Sequence, residues 1–156
     1  MGLSEKGDVM PQLKPEDRYL NYRIIRVVDP KDETSGWTAS YLAEDSACSN
    51  VVITFLNKEK ILERFSDGPE AYRRKIEQFK KEAEFLKGVT HSHIAMTYES
   101  SCDNQSQEPF IVKEYLTSVS LYDAVRGGLN PMGAAWFLQG LLEALHYLHT
   151  QKKVLH

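Results

Sequence analysis

The sequence predicts an α+β domain, in which an antiparallel sheet is interrupted by one helix and followed by two more. Three observations predict it. The run "VVITFL", residues 51–56, is β-branched and aromatic without a helical period, the composition of a buried strand. Between residues 72 and 86 the apolar positions Tyr72, Ile76, Phe79, Ala83 and Leu86 recur at alternating intervals of four and three, one face of an amphipathic helix. At Asn130 and Pro131 a cap residue and a first-turn proline open a long apolar run, the start signal of a helix.

Taken in order, residues 1–17 are polar, carry Gly2, Gly7, Pro11 and Pro15, and have no period, so a flexible leader is expected there, with order beginning near Tyr19. Strands are expected over 22–28 and 38–45, joined by the turn-rich "DPKDETSGW". The turn "SACSN" then leads into 51–56, completing an antiparallel meander. In the amphipathic helix that follows, Arg73, Arg74, Lys75, Lys80 and Lys81 fall mostly off the apolar face, where water solvates them. After "GVTHSH" the segments "IAMTYES" and "FIVKEYL" read as two further strands around the polar loop "SCDNQSQEP", which makes five strands with one inserted helix. Ser120 caps a short helix in "SLYDAVRGG", with Asp123 in the capping-box position and Gly127 to stop it. In the last helix Ala134, Leu138, Leu141, Leu145 and Leu148 form a stripe that Trp136, Phe137 and Leu142 widen, and a helix this apolar needs cover on most sides.

Composition removes several classes of function. At 156 residues the chain has room for one domain with a real core. A net charge of −3 supplies no general attraction to nucleic acid or anionic lipid, so no nucleic-acid partner is expected. No apolar run approaches the ~20 residues of a membrane span, "MGLSEKGDVM" lacks the apolar region of a signal peptide, and Lys6 stands where myristoylation needs Ser or Thr. Two cysteines, Cys48 and Cys102, are too few for a disulfide framework, so reduced thiols and a cytoplasmic location are expected. His91 and His93 have no third ligand nearby in sequence, and structural loop histidines are the simpler reading; no metal is expected.

Three segments in fixed order carry a resemblance. "FKKEAEFLKGVTHSHIAMTYE" looks like a glutamate-bearing helix followed by a His-x-x-Ile loop and a strand, "FIVKEYLTSVSLYDAV" like a strand, a hinge and a short helix, and "LLEALHYLHTQKKVLH" like a long helix running to the first letter of H-R-D. Together, from about Tyr19 to His156, they resemble the amino-terminal half of a eukaryotic-like, bacterial-type Ser/Thr protein kinase. The resemblance implies an amino-terminal lobe and hinge over 18–116 and the start of a carboxy-terminal lobe over 117–156, where helices D and E lead up to the catalytic loop. It makes Glu82 the helix-C glutamate, His91 the loop histidine, Lys113 the gatekeeper residue, Glu114, Tyr115 and Leu116 the hinge, and His156 the start of H-R-D.

Departures from the family pattern carry equal information. The glycines of G-x-G-x-x-G-x-V fall on Glu33, Ser35 and Thr38 and its valine on Ser40, with only Gly36 nearby. Asp29, Asp32 and Glu33 put negative charge where phosphate would lie. Thr54 takes the place of the lysine that pairs with the helix-C glutamate and the phosphates. The nucleotide-site positions the resemblance implies are Gly36, Val52, Thr54, Glu82, Lys113, Glu114 and Leu116. The family's catalytic Asp, Mg-binding Asn and D-F-G Asp would fall after His156, so the resemblance implies no catalytic residue and no metal site within these residues. Two functions follow. One is a pseudokinase or kinase fragment acting as a protein-interaction or weak ATP-binding module, with a protein partner or self-association through the apolar last helix; the other is the amino-terminal part of an authentic ATP-dependent Ser/Thr kinase. Lys113 either pairs with Glu82 or snorkels to water, and Glu82 either faces the pocket or is a solvated helix residue.

Overall fold

The computed structural model describes residues 13–28, 37–66, 68–101, 109–117 and 119–152. Six strands make one antiparallel sheet: β1 (Arg18–Tyr19), β2 (Tyr22–Val27), β3 (Thr38–Glu44), β4 (Asn50–Leu56), β5 (Thr97–Ser101) and β6 (Phe110–Glu114). Their order across the sheet is β1-β2-β3-β4-β6-β5. The expected five strands are all present, and β1 is a sixth. It is two residues long, too short for any alternation to show in sequence, and it exists because Arg18 and Tyr19 pair with Arg23 and Tyr22 around a turn at Leu20. The leader expected over 1–17 enters the described residues at Leu13, where the chain is already tied down. Leu13 packs on the core, and the Glu16 N–H donates to the Ile24 carbonyl at 2.8 Å.

Pairing register sorts the strand residues onto two faces. One carries Ile24, Tyr41, Ala43, Val51, Ile53, Phe55, Phe110 and Val112, which form the larger core cluster. Tyr19 closes over it, its ring edge-on to Phe55 at 4.9 Å and to Phe110 at 5.4 Å. On the same face the Tyr22 hydroxyl donates to Glu99 Oε2 at 2.8 Å. Tyr22 lies on β2 and Glu99 on β5, with β3, β4 and β6 between them. In a flat sheet four strand spacings would hold them about 19 Å apart, further than the two side chains reach. The sheet is therefore curled around this core, and the hydrogen bond joins its two flanks.

Burial, and then the hydrogen bond to Glu99, push the Tyr22 phenol from 10.0 up to about 12. The folded state thus favours the neutral phenol, so this contribution to stability is whole below about pH 10 and is lost as pH rises through about 12. An alkaline absorbance titration is expected to show one tyrosine ionising last. Tyr22→Phe should remove that step and flatten the alkaline decline in stability.

The second face meets the helices. Leu56 and Ile111 pack with Ile61, Ala71, Phe79 and Ala83. Ile61 belongs to α1 (Lys58–Arg64), a helix beyond the one expected here; Asn57 caps it by accepting from the Lys60 N–H at 3.1 Å. The expected amphipathic helix is α2 (Gly68–Lys87), with Ala71, Phe79 and Ala83 buried. Ser120 and Asn130 cap α3 (Leu121–Arg126) and α4 (Pro131–Gln151) as their sequences predict. Of the leucine stripe of α4, Leu138 and Leu141 stay exposed while Leu145 and Leu148 are half-buried. The seam of the helix is Gly140, Glu143, Ala144 and Tyr147, a spacing of three, one and three that shares one helix face. Tyr147 Oη accepts from the Thr90 N–H at 3.2 Å, its ring lies 5.0 Å from that of His91, and Glu143 Oε2 lies 3.1 Å from His93 Nε2. A Cβ on Gly140 would stand 3.2 Å from His93 Nδ1, so the loop approaches this closely only because the side chain is absent. On the remaining surface Trp136 is 73% exposed and Leu142 63% exposed.

Candidate functional site

The second sheet face brings most of the predicted nucleotide-site positions into one region. Val52 is paired with Lys113 across β4 and β6, and Thr54 with Ser40 across β3 and β4. Alternation along β4 puts Val52, Thr54 and Leu56 on the side that faces α2. Thr54, where the family carries its lysine, is half-buried and its Oγ1 lies 3.1 Å from Ser40 Oγ. Ser40 and Thr54 thus sit opposite each other on neighbouring strands, and each hydroxyl partners the other. The pair is neutral and supplies no charge for a phosphate.

Glu82 projects from the middle of α2 and meets Lys113, Nζ to Oε1 3.8 Å. The sequence left pairing and escape to water as alternatives, and the structure contains part of each. The charges are within ion-pair range yet too far apart for a hydrogen bond, and the side chains remain 33% and 52% exposed. Such a pair contributes little, because water solvates both groups when they separate. Lys113→Met is therefore expected to move the unfolding free energy by less than about 1 kcal/mol, against the 3–5 kcal/mol of a broken buried pair. A urea midpoint measured at constant slope checks it.

The hinge positions diverge. Glu114 ends β6, and its carboxylate turns back to accept from the Met96 N–H at 3.1 Å, while its own N–H donates to the Met96 carbonyl at 2.8 Å. Its side chain thus fastens β6 to the start of β5. This also explains why β5 begins at Thr97 rather than at Ile94, since Ile94 and Met96 serve as turn and tie. Leu116 is 54% exposed beyond the strand. Gly36, with Glu33 and Ser35, lies outside the described residues, as does His156. His91 and His93 are engaged locally: the His93 N–H donates to His91 Nδ1 at 3.2 Å.

A cavity of about 170 Å³ opens beside these residues, lined by Trp37, Thr38, Leu56, Lys75, Gln78, Phe79 and Glu82. Of the predicted positions it takes in Glu82 alone. Trp37 and Lys75 were not singled out by sequence reasoning. They come from separate elements and meet only through the packing of α2 on the sheet, although a tryptophan next to the glycine-loop region and a lysine one turn from Phe79 were visible in the sequence.

No curated protein matches the sequence. The apo form of PpkA-294 is 13% identical over 74% of this chain and 43% of that one, with a TM-score of 0.59. Rad53 1-466, in complex with AMP-PNP, is 15% identical over 81% of this chain and 30% of that one, with a TM-score of 0.57. This chain thus spans less than half of either structure, and at such identity the likeness is one of fold. A family model described as protein tyrosine and serine/threonine kinase matches residues 51–156, from the strand that bears Thr54 through α2, the hinge and α4. By that match, over more than half of its length, the chain belongs to the protein tyrosine and serine/threonine kinase family.

Proposed function

We propose that the chain is a catalytically incomplete kinase-fold module, a pseudokinase or kinase fragment that binds protein and holds ATP weakly if at all. The observation that carries this reading is the neutral Thr54–Ser40 pair at the place of the phosphate-binding lysine. Lys113, which is paired with Val52 across β4 and β6, is already turned to Glu82. On this reading 18–116 is the amino-terminal lobe with its hinge, 117–156 opens the carboxy-terminal lobe, and the protein works in the cytoplasm without a metal of its own. Calorimetric titration with ATP, with and without Mg²⁺, tests it. Heat that is absent or saturates only at millimolar ATP is expected, and a micromolar, Mg-dependent affinity would overturn it.

The alternative, the amino-terminal part of an authentic ATP-dependent Ser/Thr kinase, is favoured by the family match through residue 156 and by a helix-C glutamate that keeps a cationic partner. Reading the gene onward separates the two: H-R-D, its Asn and D-F-G in frame support the kinase, and a stop codon supports the module.

The protein partner is assigned to α4. Among the described residues Leu138, Leu141 and Leu142 are all exposed on one side of α4, an apolar surface of the kind monomers rarely leave to water. No helix among the described residues is long and apolar enough to cross a membrane. The isolated 156-residue chain is expected to self-associate through this face. Light scattering should show mass rising with concentration, and Leu138→Glu with Leu142→Glu should return it to the monomer.

A further inference from the structure

Trp37 stands at the corner where the start of β3 meets α1 and α2, and two cations converge on it. The Arg64 guanidinium lies 4.7 Å from the centre of the indole and the Lys75 ammonium 4.8 Å from it. The two charges are thus within about 10 Å of each other, no more than a Debye length at 0.1 M salt, so each feels the other. Phe65 stacks on the same indole at 5.2 Å and 17°. Nearby carboxylates are engaged elsewhere: Glu70 pairs with Arg73 at 3.4 Å, Glu77 with Lys80 at 3.7 Å and Glu82 with Lys113. Among the described residues Lys75 hydrogen-bonds to the neutral Gln78, at 3.2 Å, and neither Arg64 nor Lys75 has a carboxylate within ion-pair distance.

Beside Lys75 lies a second cavity, of about 300 Å³, lined by Phe65, Ala71, Arg74, Lys75 and Gln78. Its lining joins the apolar Phe65 and Ala71 to the cations Arg74 and Lys75, and Arg64 adjoins it as the chain neighbour of Phe65. We propose that this corner binds a phosphomonoester carried on an apolar body, with the phosphoryl group against Arg64 and Lys75 and the apolar part against Phe65 and Ala71. A phosphomonoester carries about −1.5 to −2 at neutral pH and so answers two cations, where a single carboxylate answers one. Arg64 offers a planar fork for two phosphoryl oxygens and Lys75 a point charge. Because the indole already holds both cations, less side-chain freedom remains to be lost when the anion arrives. The site is independent of the nucleotide reading, since it uses neither Thr54 nor the hinge.

The chain has two tryptophans, so Trp136→Phe leaves Trp37 as the sole fluorophore. In that background, phenyl phosphate is expected to change Trp37 emission saturably, while inorganic phosphate binds more weakly for want of the apolar body and benzyl alcohol for want of charge. Arg64→Gln with Lys75→Gln should weaken phenyl phosphate about tenfold or more, and Arg64→Lys with Lys75→Arg should keep most of the affinity. Lys60→Gln with Lys81→Gln removes the same net charge from the same helices and should leave binding within about twofold. Equal weakening in that control, a response that never saturates, or inorganic phosphate binding as tightly as phenyl phosphate would overturn the assignment. A peptide bearing one phosphotyrosine, compared with its unphosphorylated form, separates the sources. Tighter binding than phenyl phosphate identifies a protein segment as the natural ligand, and equal binding identifies a free phosphomonoester.

Discussion

Incubated with Mg²⁺, ATP and a protein acceptor, the purified 156-residue chain is expected to transfer phosphate no faster than a protein-free blank. Catalysis of phosphoryl transfer is almost wholly positioning and charge stabilisation, and the loss of a single cationic contributor such as an arginine finger costs ~10³-fold or more. On the proposed reading the cation of β4 is replaced by the Thr54 hydroxyl, which already lies 3.1 Å from Ser40 Oγ. The Glu82 carboxylate that should steady a lysine is instead shared with Lys113 on β6. Thr54→Lys separates binding from chemistry. It places an ammonium on the face that looks at α2, so nucleotide affinity should rise while transfer stays at background. Mg-dependent incorporation of phosphate by the unmodified chain, abolished by Glu82→Gln, would refute the expectation.

The largest effect on stability is expected from Phe110→Ala. Phe110 is 1% exposed, meets Tyr19 edge-on and packs at 6.1 Å from Phe55. Removing its ring forfeits the transfer free energy of the buried atoms and leaves a cavity that the curled sheet cannot close without moving two neighbouring strands. Such truncations cost about 3–5 kcal/mol, a large part of the 5–15 kcal/mol that holds a domain folded. Phe137→Ala on α4 is the matched comparison. Its ring is 41% exposed, and its loss should change stability by less than about 1 kcal/mol while lowering self-association. Urea midpoints for the two variants that fell within error of each other would show that the core has been misplaced.

The main strands, α2 and the capped helices were legible because each carries a local signal: β-branched runs, a sustained 3.6-residue period, and Ser120 or Asn130 before a helical run. What escaped was local but too short, or not local at all. The seven residues of α1 hold only Ile61 and Leu62 as apolar residues, adjacent rather than at helical spacing and too few to establish a period, although the Asn57 cap was there to be read. β1 has no pattern of its own. Its position comes from Tyr19, which reaches Phe55 and Phe110 on strands far along the chain. The stripe on α4 was correctly seen as apolar, but the helix is attached by Gly140, Ala144 and Tyr147, because the loop at 90–93 offers backbone and histidine partners rather than an apolar groove. Of the positions that the family resemblance implies, the fold brings Thr54 and Lys113 to one sheet face and Glu82 onto the helix packed against it. The convergence of Arg64 and Lys75 on Trp37 joins three segments, and no spacing in the sequence encodes it.

The hydrogen bond from Tyr22 to Glu99 spans 77 positions of the chain, and it forms only once the strands that carry the two residues are in place. The hairpins β2–β3 and β3–β4 join neighbours in sequence and close cheaply, whereas the Tyr22–Glu99 contact must wait until α2 has been laid down and β5 and β6 have docked. Closing the curl is therefore a late event on the folding path, and the same seam is the first to part when the lobe unfolds. Substitutions there speed unfolding and leave the folding rate almost untouched, which is the kinetic behaviour of a clasp rather than of a nucleus.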